Sequence, residues 1–150
     1  RTFPKGHKME GEGTFFVEKI LAALGFSYLN DENIKKLHTC RNNYELWAKR
    51  IKEVQEGKAI LSLRYWSDKP YRSKQVEFAV LDKDSRVGIQ KLELDPFGLN
   101  FKIEDGEWNF DGGKTIAKND GLSIEDFKDW FKNYDLSKPM AIIQFTKFRY

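Results

Sequence analysis

The hexapeptide KLHTCR, residues Lys36–Arg41, decides most about the fold and the chemistry of this chain. Its core is rich in residues that favour β-structure, so a strand is predicted from residue 37. Successive side chains of a strand point to opposite faces, which places Thr39 and Arg41 on one face and His38 and Cys40 on the other. A hydroxyl and a guanidinium side by side suit an anionic or carbonyl-bearing ligand, because both donate hydrogen bonds to oxygen.

Helical periodicity lies on both sides of this strand. Apolar residues recur at steps of three and four over residues 14–24, with Thr14 as the expected N-cap and Gly25 as the stop. The same spacing over residues 44–56 follows Asn42-Asn43, a turn and N-cap signal. We also predict a helix from Ser123 to about Asn133, a helical turn at 115–118, and strands at 59–66, 76–81, 87–94, 97–103, 108–110 and 141–150.

Short strands joined mainly by hairpins favour an antiparallel sheet with peripheral short helices. The predicted fold class is therefore α+β: a small curved sheet or β-barrel of about six strands. At 150 residues the chain is expected to be one domain spanning 1–150. The sequence leaves open whether residues 97–110 cap a cleft.

Composition limits the cellular compartments and the cofactors that we expect for this protein. A single cysteine rules out an intramolecular disulfide, which favours a reducing compartment. No apolar run approaches membrane-spanning length, and the polar, glycine-rich residues 1–13 lack the apolar core of a signal peptide. We expect a cytoplasmic protein without membrane partners. No glycine-rich phosphate loop is present and no cofactor is expected. The sequence does not set the oligomeric state.

Charge is unevenly distributed along the chain. Residues 35–74 contain eleven Lys or Arg and four Asp or Glu, whereas residues 95–135 contain five Lys and ten Asp or Glu. Within the basic part, the loop at 66–74 alternates cations with aromatic rings. Cations neutralise phosphates and aromatic rings stack on unpaired bases, so this pattern indicates RNA or nucleotide binding. The predicted binding residues are Arg41, Arg64, Trp66, Lys69, Tyr71, Arg72 and Lys74.

Several short stretches of the sequence carry a resemblance to a known family. The helix residues Phe15-Phe16 and Lys19-Ile20-Leu21, followed by Lys36-x-x-Thr39-x-Arg41, resemble the N-terminal helix and the Lys-x-x-Thr-Ile-Arg-like strand of the ASCH family in the PUA-like superfamily, with Cys40 where Ile is usual. Residues 117–123 resemble the acidic turn and helix start that face the family's cleft, and 141–150 its closing strand. The insertion at 26–35 is longer than the turn common in the family.

The resemblance implies a second function, because some ASCH proteins are amidohydrolases that deacetylate N4-acetylcytidine. By that resemblance Lys36, Thr39 and Asp120 would be the catalytic residues, with Asp120 where the family has Glu. A lysine desolvated in a cleft has a lowered pKa and can accept a proton. Thr39 would then attack the acyl carbonyl or position water, and Asp120 would orient or carry the proton.

Simpler interpretations of the same residues stay open. Lys36 and Arg41 can be surface charges, Thr39 a β-former and Asp120-Gly121 a turn. A metal site at His38 and Cys40 is not expected, because structural zinc needs four ligands and the only further His is His7. The sequence therefore carries three hypotheses, in this order: an RNA- or nucleotide-binding module, an amidohydrolase acting on a modified nucleoside, and a structural or interaction protein.

Overall fold

The computed structural model describes residues 2–26, 35–97 and 100–150. Most of the expected insertion at 26–35 and part of the predicted strand at 97–103 lie outside these ranges. Within them the helices are α1 (Phe16–Ala23), α2 (Tyr44–Gln55), α3 (Lys114–Asn119) and α4 (Ile124–Phe131). The strands are β1 (His38–Arg41), β2 (Leu61–Trp66), β3 (Gln75–Leu81), β4 (Gly88–Leu94), β5 (Phe101–Ile103), β6 (Trp108–Asn109) and β7 (Met140–Gln144).

The strands form two antiparallel sheets. A five-stranded sheet has the order β1-β7-β4-β5-β6, and β2 and β3 form a separate two-stranded arm. β7 is central, because it pairs with β1 (Cys40 opposite Ile142) and with β4 (Gln90 opposite Ile142). The predicted α+β class is confirmed. The barrel alternative is wrong for the described residues, since β2 and β3 hydrogen-bond only to each other and the sheet does not close.

The five-stranded sheet has a hydrophobic cluster on each face, and β7 shows why. Its alternate residues point to opposite faces, so Met140 and Ile142 pack with α3 and α4 in one cluster. Ala141 and Ile143 pack in the other, together with Ile51 of α2 and residues of the β2–β3 arm. Both faces of β7 are consequently buried, which explains its almost uniformly apolar sequence.

Local signals placed most elements correctly, with some differences. Asn43 caps α2 by accepting a hydrogen bond from the Leu46 N–H, and Ser123 caps α4 by accepting one from Asp126 N–H. Thr14 is not the N-cap of α1: Phe15 holds that position in a left-handed conformation without a side-chain cap. The pairing of β2 with β3 also shifts register between Leu63 and Arg64, which leaves Phe78 as one extra residue on β3. None of the described helices is both long and apolar enough to cross a membrane.

Candidate functional site

Lys36 lies just before β1, and the backbone of residues 36–37 is fixed by three other elements. The Lys36 N–H donates to the Lys19 carbonyl of α1 at 3.0 Å. The next residue, Leu37, donates its N–H to the Asn119 carbonyl at 2.8 Å and accepts from the Phe145 N–H at 3.0 Å. The segment is thus held between α1, α3 and the end of β7, which directs the Lys36 side chain inward.

Asp120 follows α3 in a Schellman turn. The Leu122 N–H donates to the Ala117 carbonyl at 3.0 Å, and the Gly121 N–H donates to the Lys118 carbonyl at 2.9 Å. Gly121 has a φ of +74°, the left-handed conformation that such a turn requires. Its carbonyl accepts a hydrogen bond from Lys19 Nζ at 2.6 Å. The turn therefore presents the Asp120 carboxylate toward β1.

Lys36 and Asp120 form a buried ion pair. The Lys36 ammonium donates to both the carboxylate Oδ1 and the backbone carbonyl of Asp120, and the two residues are only 2% and 3% exposed. The ammonium also lies over the Phe16 ring, 4.1 Å from its centroid. Burial lowers the pKa of Lys36 from its ordinary value, and it outweighs the opposing attraction of Asp120.

Beside this pair lies a cavity of about 200 Å³ between the five-stranded sheet and the β2–β3 arm. Thr39 and Arg41 line it together with Lys36, as the predicted strand alternation requires. Thr39 is 8% exposed. The remaining walls are mostly apolar and aromatic: Phe16, Val17, Ile20, Trp47, Leu61, Ser62, Leu63, Arg64, Tyr65, Phe78, Ile143 and Phe145. The polar part of the lining thus consists of Lys36, three hydroxyl-bearing residues and two arginines among hydrophobic surfaces.

A second polar layer lies behind the pair, on the opposite face of β1. Tyr150 Oη lies 2.7 Å from His38 Nε2 and 3.0 Å from Asn119 Nδ2. His38 Nδ1 lies 3.7 Å from Asp120 Oδ1 and 3.9 Å from Cys40 Sγ. Burial lowers the pKa of His38 well below 6.5, reinforced by the Lys36 charge, and it raises the pKa of the Cys40 thiol well above its ordinary value. Both side chains are therefore neutral at pH 7.

His38, Cys40 and Asp120 also place three potential metal-ligand atoms within 4.8 Å of one another. The sequence offered only the first two on this strand, and the fold adds the carboxylate. The Asp120 oxygen is already bonded to the Lys36 ammonium, whose positive charge opposes a second cation at the same place. This electrostatic cost favours a hydrogen-bonded cluster over a metal centre.

The predicted binding residues divide between two places. Arg41 and Arg64 line the cavity, although Arg64 is also 3.5 Å from Glu77 Oε2. The five others lie at the tip of the arm and do not line it: Trp66, Lys69, Tyr71, Arg72 and Lys74. There Tyr71 is 88% exposed, with its ring centroid 5.4 Å from that of Trp66.

Sequence reasoning did not find three supporting residues, namely Lys19 as a donor to the acidic turn, and Asn119 and Tyr150 behind His38. Their partners are 102, 31 and 112 positions away in the sequence, so no local pattern signals them. The positions of Lys36, Thr39 and Asp120 were identified from the family resemblance. The structure brings Lys36 against Asp120 and places Thr39 on the same cavity as Lys36.

Comparison of the chain with protein-family models, with curated proteins and with solved structures finds no match. The resemblance to ASCH proteins therefore stays a prediction, and the function must be argued from the site.

Gly121→Ala tests how tightly the acidic turn packs against Lys36. A Cβ at Gly121 would lie 3.1 Å from Lys36 Cβ and would also force alanine into the left-handed conformation. Gly112 is the matched control, since it shares the φ of +74° but has nothing within 4 Å of its Cβ position. We expect Gly112→Ala to cost about 1 kcal/mol in urea unfolding and Gly121→Ala about 2 kcal/mol or more. Equal losses would contradict the close packing.

Proposed function

We propose that this protein hydrolyses an amide bond of a small, planar N-acylated ligand, of which an acylated nucleoside is the leading candidate. One observation carries the proposal: a buried lysine of lowered pKa, paired with a carboxylate, shares a cavity with a threonine. Perturbed titratable groups converging on a cleft are typical of catalytic sites. This grouping favours hydrolysis over simple binding, the reverse of the order given by the sequence.

Lys36 would act as the general base. Its lowered pKa increases the fraction of neutral amine near neutral pH, and a neutral amine can accept the proton of the Thr39 hydroxyl. The Thr39 oxygen then adds to the acyl carbonyl of the ligand to give a tetrahedral intermediate. The guanidinium of Arg41 lines the same cavity and can donate to the developing oxyanion.

The second half of the reaction protonates the leaving nitrogen and removes the acyl group from Thr39. Protonated Lys36 donates its proton to the leaving nitrogen, the carbon–nitrogen bond breaks, and the acyl group stays on Thr39 as an ester. Lys36 then takes a proton from water, whose oxygen adds to the ester carbonyl. The bond to the Thr39 oxygen breaks, Lys36 returns the proton to that oxygen, and the carboxylic acid is released. Asp120 holds the Lys36 ammonium through its carboxylate and its backbone carbonyl, so it positions the amine and stabilises its charged form between the steps.

The cavity walls support a planar, partly polar substrate. Trp47, Tyr65, Phe78 and Phe145 offer aromatic surface against which a heterocycle can pack. Arg41 and Arg64 supply donors for carbonyl oxygens or a phosphate. The volume of about 200 Å³ lies below the roughly 300–1,000 Å³ of common ligand pockets, so it suits a group the size of a single acylated base rather than a long chain. The resemblance to ASCH proteins adds N4-acetylcytidine as the first compound to test.

The Thr39 hydroxyl is the most direct point of test. Thr39→Val keeps the shape of the side chain but removes the nucleophile, so we expect kcat/KM for N4-acetylcytidine to fall about a hundredfold or more. Thr39→Ser keeps a hydroxyl and should retain measurable activity. Activity should rise with pH through the pKa of Lys36, since the neutral amine is the working form, with the inflection below 10.5.

Acetate release measured over a panel of N-acylated nucleosides gives the readout. Thr2→Val, at an exposed threonine that does not line the cavity, is the control for a generic loss of a hydroxyl. Full activity of Thr39→Val, or no turnover of any acylated nucleoside by the wild-type protein, would contradict hydrolysis at this site.

A second candidate function is RNA binding by the arm. Its tip carries the exposed cations Lys69, Arg72 and Lys74 next to the Trp66–Tyr71 ring pair. The 88% exposed ring of Tyr71 offers a stacking face for an unpaired base. Such an arm could bind RNA whether or not the cavity hydrolyses a ligand.

Arg72→Ala combined with Lys74→Ala should weaken binding of a single-stranded RNA oligonucleotide, because two phosphate contacts are lost. We expect the slope of log K against log salt to decrease by about 1.4 in magnitude, at about 0.7 for each contact removed. Lys5→Ala combined with Lys138→Ala removes the same charge at exposed positions elsewhere and serves as the control. Equal effects of the two pairs in a fluorescence titration would exclude a specific role for the arm.

A further inference from the structure

We propose that His38 is a positioning residue for the Lys36–Asp120 pair, locked as the neutral Nδ1–H tautomer by a hydrogen-bond chain from Asn119 through Tyr150. The inference rests on the proposed hydrolysis and adds residues that neither the sequence nor the cavity lining identifies. The tautomer follows from which atom must donate and which must accept in each of these hydrogen bonds.

The series of hydrogen bonds begins at the side chain of Asn119, the last residue of α3. Its side-chain amide donates to Tyr150 Oη at 3.0 Å, which occupies an acceptor position of that oxygen. The Tyr150 hydroxyl then has its own proton to donate, and His38 Nε2 lies 2.7 Å away. Tyr150 is held in place by its backbone N–H, which donates to Gln90 Oε1 at 2.9 Å. Burial raises the pKa of Tyr150, so the hydroxyl keeps its proton.

The donor-to-acceptor direction of these hydrogen bonds fixes the tautomer of His38. If Nε2 accepts from Tyr150, a neutral imidazole must carry its proton on Nδ1. That N–H faces the Asp120 carboxylate at 3.7 Å and the Cys40 sulfur at 3.9 Å, both of which are acceptors. A fully buried imidazole beside an ammonium does not accept a second proton easily, and the pKa of His38 is lowered accordingly.

The consequence concerns the orientation of Asp120. One side of its carboxylate holds the Lys36 ammonium, and the Nδ1–H dipole of His38 points toward the same oxygen. The dipole stabilises the ionised carboxylate without adding a charge to the site. The opposite tautomer would aim a lone pair at the carboxylate and repel it. His38 thereby favours the arrangement in which Asp120 receives and holds the protonated Lys36 during hydrolysis.

Nitrogen-15 NMR of histidine-labelled protein tests this directly, because protonated and unprotonated ring nitrogens give distinct signals. The chain contains two His, and His7→Gln assigns the signals of His38. We expect His38 of the wild type to be protonated at Nδ1 only. Tyr150→Phe removes the hydroxyl but keeps the ring that packs on Phe101 and Phe148, so the protein should fold and the single tautomer should be lost.

The kinetic test measures the hydrolysis of N4-acetylcytidine by the same variants. Tyr150→Phe should lower kcat by about tenfold, the cost of losing an outer partner of a site, with little change in KM. Tyr134→Phe is the control, since its ring packs on Phe131 away from His38. Four results would overturn the proposal while leaving hydrolysis intact. Two concern His38 of the wild type: an Nε2–H tautomer, or stoichiometric binding of a metal. The other two concern Tyr150→Phe: an unchanged tautomer, or an unchanged kcat. Absence of turnover by the wild type would instead overturn the proposed function and, with it, the positioning role.

Discussion

The burial of the Lys36–Asp120 pair is the constraint on which the rest of the site depends. Removing two charges from water costs several kcal/mol each, and only good geometry with further hydrogen bonds offsets that cost. The fold supplies both: the ammonium is bonded to two oxygens of Asp120 and lies over the Phe16 ring. Such a pair is weak evidence for stability as such, and its position beside a cavity is the basis of the catalytic role that we propose for it.

The architecture explains how residues 84 positions apart in the sequence meet. β7 lies between β1 and β4, and the residues leading into β1 are bonded to α1, α3 and the segment after β7. The Schellman turn after α3 then brings Asp120 to the beginning of β1. Because β1 alternates its faces, Thr39 and Arg41 line the cavity while His38 and Cys40 form the polar layer behind the pair. A single four-residue strand thus separates the groups that we propose to react from those that we propose to orient them.

The sequence predicted the individual helices and strands better than it predicted how they assemble. Period-two and helical spacing predicted α2, α4 and the paired strands, and Asn43 and Ser123 were recognisable caps because their signals are local. The barrel alternative was wrong for the part of the chain that the structure describes, because strand closure depends on long-range pairing that the sequence does not specify. The family resemblance identified Lys36, Thr39 and Asp120 as candidates. The roles of Tyr150 and Lys19 could not be predicted, since each depends on a partner more than a hundred residues away.

A double-mutant cycle on the buried pair tests the central claim most directly. Urea unfolding would be measured for the wild type, Lys36→Met, Asp120→Asn and the double variant. Each single change should cost about 3–5 kcal/mol, because it leaves an uncompensated buried charge. The double variant should lose less than the sum by about 2 kcal/mol or more, since both charges are then absent. Additive losses would contradict the pair, and with it the shared site built on Lys36 and Asp120.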